Sequence, residues 1–86
     1  MTLIYSEKFL KEVKKIDKHV QKKIFDYMDE VAKLDDPRVR GKALVGNLAG
    51  FWRYRVGDYR VLCRIKENEL IIFVVEVGHR KEIYEK

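Results

Sequence analysis

Four arginines fall where one strand pair would present them together. In the stretch Trp52-Arg53-Tyr54-Arg55-Val56-Gly57-Asp58-Tyr59-Arg60-Val61-Leu62-Cys63-Arg64, arginines alternate with aromatic and aliphatic residues on both sides of a Gly-Asp pair. A guanidinium grips phosphate oxygens through forked, paired hydrogen bonds that lysine cannot make, so arginines gathered on one surface point to chemistry on an anion. Strand side chains point alternately to opposite faces, which puts Trp52, Tyr54 and Val56 on one side and Arg53 and Arg55 on the other. Gly57-Asp58 reads as a two-residue hairpin turn. Such a turn pairs Val56 with Tyr59, Arg55 with Arg60, Tyr54 with Val61, Arg53 with Leu62 and Trp52 with Cys63. One face is then a core surface, with Trp52 in it rather than serving as a base-stacking platform. The other carries Arg53, Arg55, Arg60 and Arg64. Like charges directly across a ladder are destabilising by roughly 0.2–1 kcal/mol, which a fold tolerates when the face has an anion to bind. On this reading Arg60→Ala relieves repulsion and leaves the fold intact.

The elements that must position this hairpin follow from periodicity. A short apolar strand at about residues 2–5 opens the chain, and Ser6 can cap a helix in which Phe9, Leu10, Val13 and Ile16 recur at helical spacing. Asp17 can cap a second helix with an apolar stripe of Val20, Ile24, Tyr27, Met28, Val31 and Leu34, which Asp35-Asp36-Pro37 stops. Lys14, Lys15, Lys18, Lys22 and Lys23 read as a solvated helix face. Residues 38–51, with Gly41, Gly46 and Gly50, read as a loop. Strands follow at Tyr59 to Lys66 and, after Glu67-Asn68-Glu69, at Leu70 to Val77, the latter apolar on both faces and hence central. A short strand, two helices and an antiparallel three-strand meander make an α+β fold, with the helices packed on one sheet face and the arginine face open. No linker or repeat divides the chain, and residues 1–86 read as one domain.

Composition bounds the partners. The chain has 86 residues, 47% of them hydrophobic, and a net charge of +5, which excludes disorder and favours nucleic acid or acidic protein as a partner. The single Cys63 excludes an intramolecular disulfide framework, implies a cytoplasmic setting by default, and falls on the core face as an inert thiol. No signal peptide is evident, and the apolar run Leu70 to Val75 is too short to cross a bilayer. His19 and His79 lie in different elements and no Cys or His pair has ligand spacing, so no metal or other cofactor is expected. Ser6, the only serine, already has a capping role. His79 could exchange protons at neutral pH or could simply end a strand.

The order of elements, the segment Leu44-Val45-Gly46-Asn47-Leu48-Ala49-Gly50 leading into the arginine hairpin, and the ending Val77-Gly78-His79-Arg80 with Tyr84 resemble the RelE/ParE toxin superfamily, the RelE branch most closely. The resemblance implies a ribosome-dependent endoribonuclease that cuts mRNA in the A site of a 70S-type ribosome. An acidic antitoxin of RelB type encoded nearby would hold it in a hetero-oligomer, the free toxin being monomeric. By position, Arg53 and Arg55 stand where well-known members have lysines, Arg60 matches the phosphate-stabilising arginine, Arg80 the proposed acid and Tyr84 the tyrosine that orients the nucleotide. Arg53, Arg55, Arg60 and Arg64 would bind RNA, while Arg55, Arg60, His79, Arg80 and Tyr84 would form the catalytic set. Arginine is a poor proton acceptor, so the replacement of lysine at Arg55 shifts the burden to electrostatics or to His79. A ParE-like gyrase poison and a non-catalytic binding homologue share the same outline.

Overall fold

The computed structural model describes residues 1–79, so the expectations placed on Arg80 and Tyr84 lie outside the described residues. Strand β1 (Thr2–Tyr5) leads through Ser6 into helix α1 (Glu7–Val13). The Ser6 hydroxyl accepts the Phe9 N–H at 3.0 Å and donates to the Val75 carbonyl at 2.6 Å, so one side chain both caps the helix and fastens it to the last strand. Helix α2 (Lys18–Lys33) starts after Asp17 as the spacing predicts. The Asp17 carboxylate makes no capping bond, and the Gln21 amide instead closes the corner by donating to the Ile16 carbonyl at 2.7 Å. The buried residues Ile24, Met28 and Val31 recur at intervals of four and three and press one stripe of α2 onto the sheet.

Strands β2 (Lys42–Ala43), β3 (Trp52–Val56), β4 (Tyr59–Lys66) and β5 (Ile71–His79) complete a sheet of order β1-β5-β4-β3-β2. The α+β plan is the expected one, with two additions. β2 pairs Lys42 with Arg53 and Ala43 with Trp52 inside the stretch expected to be loop. β1 also runs parallel to β5, which makes the sheet mixed rather than wholly antiparallel. Parallel neighbours need a long crossover, and here the connection from β1 to β5 takes in both helices and the strands between them. The β3–β4 hairpin adopts the expected register pair for pair, from Trp52–Cys63 to Val56–Tyr59. Gly57, at φ +59°, takes the left-handed conformation that a two-residue turn demands.

The core lies between the helices and one sheet face, where Phe9, Ile24, Met28 and Val31 meet Tyr54, Val61, Cys63, Ile72, Val74 and Val77. Trp52 is partly buried against this cluster, on the side the alternation assigned it. Tyr5 stacks on Phe9 at 5.1 Å between ring centroids, and Phe25 meets both rings edge-on. The phenol of Tyr54 is fully buried and donates to the Pro37 carbonyl at 2.7 Å. A Cβ on Gly41 would stand only 3.0 Å from that ring, so glycine lets the chain pass over it. Burial pushes the Cys63 thiol well up, in keeping with an inert core sulfur. Among the described residues no helix is long and apolar enough to cross a membrane.

Two outcomes follow from this packing. Cys63 should resist a thiol reagent in the native protein and react at once in denaturant. Tyr54→Phe should lower the unfolding free energy, measured by urea titration, by about 1–2 kcal/mol, because the Pro37 carbonyl is left buried without its donor.

Candidate functional site

The sheet face turned away from the helices carries the arginines in successive rows. Arg55 on β3, Arg60 on β4 and Gly78 on β5 form one row, and Lys42, Arg53, Leu62 and Glu76 on β2 to β5 form the next. Arg64 lies opposite Phe73 in a third. The two-residue hairpin loop therefore brings Arg53, Arg55, Arg60 and Arg64 to one side of the sheet, as their alternation requires.

This face is not uniformly open. Arg55 and Arg64 are exposed and Arg53 is half-buried, but Arg60 is only 4% exposed and Leu62 only 2%. Arg60 belongs to the middle strand, flanked by β3 and β5, and its neighbours Leu62 and Glu76 are as deeply placed as it is. The expectation of a fully open cationic face, from which Arg60 could be removed at no cost to the fold, is corrected accordingly. Its rim is better described by Arg55, whose Nε donates to the Gly57 carbonyl at 3.4 Å, and by Arg64, whose guanidinium lies 5.2 Å from the centre of the Phe51 ring. Both contacts leave charge facing solvent.

His79 stands apart from these arginines. It pairs with Tyr59 at the end of β5, one residue beyond Gly78, which lies opposite Arg60. Alternation thus turns the imidazole to the helix side, where it meets the Tyr59 ring edge-on at 5.8 Å. There it borders a recess of about 420 Å³ lined by Glu12, Lys15, Ile16, Tyr59, Val77 and Gly78. Arg60 and His79 are therefore on opposite sides of the sheet, and the described geometry does not bring the imidazole to the arginine rows.

Two residues join the face that the hairpin pattern did not assign to it. Lys42 enters through β2, a strand too short to show periodicity, and its pairing with Arg53 adds an exposed cation to the row. Glu76, 6% exposed, lies opposite Leu62 and brings a carboxylate among the arginines. Its signal in the sequence is a lone acid inside the apolar run Val75-Glu76-Val77. The register of β5 against β4 shifts between Leu62 and Cys63, whose partners are Glu76 and Val74, so Val75 is left in a bulge. Around that bulge α1 grips the strand. Lys8 Nζ donates to Glu76 Oε1, the Glu12 carboxylate accepts the Val77 N–H at 3.0 Å, and Ser6 holds the Val75 carbonyl.

Comparison with known proteins adds a lineage to this geometry. A sequence model described as the ParE toxin of type II toxin–antitoxin system, parDE, matches residues 3–84. The chain is 31% identical to Toxin RelE3 of Methanocaldococcus jannaschii over 99% of its own length and 97% of that protein's. It is 37% identical to Toxin RelG of Mycobacterium tuberculosis over 59% of each. Among solved structures, the toxin–antitoxin complex RelBE2 of M. tuberculosis holds a chain that superposes with a TM-score of 0.83 at 24% identity, over 92% of this chain and 96% of that one. A mutant of the E. coli toxin RelE in the free state gives 0.77 at 25% identity, over 98% of this chain and 90% of that one.

The difference in burial between the two paired arginines has a measurable consequence. Arg60→Ala should cost about 1–3 kcal/mol of folding stability, since a buried side chain and its surroundings are disrupted, whereas Arg55→Ala should stay within about 0.5 kcal/mol of the parent. Chemical denaturation of the two variants side by side distinguishes a buried Arg60 from an exposed one.

Proposed function

Because the chain belongs to the RelE/ParE superfamily of toxins from type II toxin–antitoxin systems, in which an antitoxin is the partner, we propose that it is an endoribonuclease that enters the ribosomal A site and cuts mRNA. The observation that carries this reading is the set of arginine rows on the helix-free face, with Arg60 seated between Arg55 and Gly78. RNA supplies its own nucleophile. Attack of the 2′-oxygen on the adjacent phosphorus, with its proton passing to solvent water, forms one P–O bond and breaks the bond to the 5′-oxygen of the next nucleotide, which leaves and takes up a proton. The protein must align these atoms and stabilise the charge that accumulates on the phosphate.

In this scheme Arg60 is the phosphate clamp, and its depth lets it act in a less water-like environment than a surface cation. Arg53, Arg55, Arg64 and Lys42 bind flanking phosphates and set the strand's path. Arginine retains its proton throughout, so these groups work by charge and orientation rather than by accepting the 2′-proton. Arg80 and Tyr84 are assigned the leaving-group and nucleotide-orienting roles by resemblance. His79, on the helix side, receives no proton-transfer role. The free chain acts as a monomeric cytoplasmic toxin, and an acidic antitoxin neutralises it by covering the same rows.

A second reading is favoured by the description of the matching family, which names the ParE toxin. A gyrase poison would need no cleaving face. Inducing the chain in bacteria while mapping mRNA 5′ ends and plasmid supercoiling separates the two. The proposal predicts translation-dependent cuts within codons, absent when initiation is blocked, with supercoiling unchanged. Altered supercoiling without mRNA cuts would replace the ribonuclease reading with the gyrase one. With purified protein on programmed ribosomes, Arg55→Ala should weaken RNA binding most at low salt and least at high salt, because each lost phosphate contact lowers the salt slope by about one unit.

A further inference from the structure

Arg60 and Glu76 are opposite charges buried on one face of the same strand pair. Their exposures are 4% and 6%, and the register sets Glu76 opposite Leu62, one same-face position along from the Gly78 that faces Arg60. Diagonal positions of this kind separate backbone positions by about 7–8 Å, a gap that an arginine and a glutamate together span. Gly78 places no side chain beside Arg60 on that strand. A guanidinium stays charged at any pH the fold survives, and burial of a charge is costly unless an opposite charge and hydrogen bonds compensate it.

Glu76 is itself held from behind. Lys8 reaches from α1 to its Oε1, and the backbone on either side of it is fixed by Ser6 at Val75 and by Glu12 at Val77. A carboxylate seated this firmly can set the direction of a long, flexible cation. We infer that Glu76 is a positioning residue for Arg60: its carboxylate, braced by Lys8, holds the Arg60 guanidinium in the orientation from which it meets a phosphate. The same carboxylate offsets the repulsion of the directly paired Arg55. The inference rests on the ribonuclease reading for its effect on rate, but the pairing itself does not depend on that reading.

The test uses the full chain labelled with nitrogen-15, observing the Arg60 Nε–Hε resonance and its exchange with water alongside single-turnover mRNA cleavage on programmed ribosomes. In Glu76→Gln the Arg60 resonance should move and exchange about tenfold faster or more. The cleavage rate at saturation should fall by about tenfold or more with KM changed by less than about threefold, the pattern of a lost transition-state interaction. Glu76→Asp, which keeps the charge, should recover part of both effects. An Arg60 resonance unchanged in Glu76→Gln overturns the inference whatever the cleavage rate. A moved resonance with unaltered cleavage upholds the pairing and counts instead against Arg60 as the phosphate clamp. Should Glu76→Gln fail to fold, Lys8→Met takes its place, since the Lys8 side chain is more than half exposed. It should shift the same resonance, and an unmoved signal there overturns the inference equally.

Discussion

The count of two residues between β3 and β4 governs the arrangement of charge in this protein. Gly57 takes a positive φ, Asp58 completes the turn, and the ladder that follows pairs Arg55 with Arg60 and Tyr54 with Val61. A slip of one residue would turn one strand over relative to the other, sending either Tyr54, or Val61 and Cys63, to solvent and that strand's arginines toward the helices. Burying that many charges against apolar helices is prohibitive, so the core enforces the register and the register gathers the cations. Site and core are two consequences of one parity.

The far end of the sheet meets a different demand. β5 must pair with β4 along its length, accept β1 in parallel, and still offer its edge to α1 beyond the point where β1 ends. The bulge at Val75 and the grips of Ser6, Glu12 and Lys8 meet that demand together. They also fix the side of the sheet on which Glu76, Gly78 and His79 emerge. The short helix α1 thus bears on the arginine face without lying on it, by holding the strand that supplies its carboxylate.

Much of this was readable in the sequence because it was local. The hairpin register, the Ser6 cap, the apolar stripe of α2 and the burial of Cys63 each depend on residues a few positions apart. β2 escaped because two residues carry no period, and the parallel placement of β1 escaped because nothing near Thr2 encodes Ile71 as its partner. The side taken by His79 depends on a bulge four residues upstream in a strand apolar on both faces, where alternation gives no parity. The depth of Arg60 escaped for a related reason. Charge counting treats every strand of an arginine face alike, while the middle strand is flanked on both sides by others and the edge positions are not.

The central claim is that the arginine rows cut mRNA on the ribosome, with Arg60 stabilising the phosphate as charge builds on it. The most direct measurement is single-turnover cleavage of a defined A-site codon by the purified chain on programmed ribosomes, comparing the parent with Arg60→Lys. This substitution keeps the positive charge and most of the side-chain length but loses the paired fork of donors. The account predicts a cut within the codon that leaves a 2′,3′-cyclic phosphate, and a rate for Arg60→Lys lower by about tenfold or more at unchanged binding. No cleavage by the parent, or an Arg60→Lys rate equal to the parent's, would contradict it.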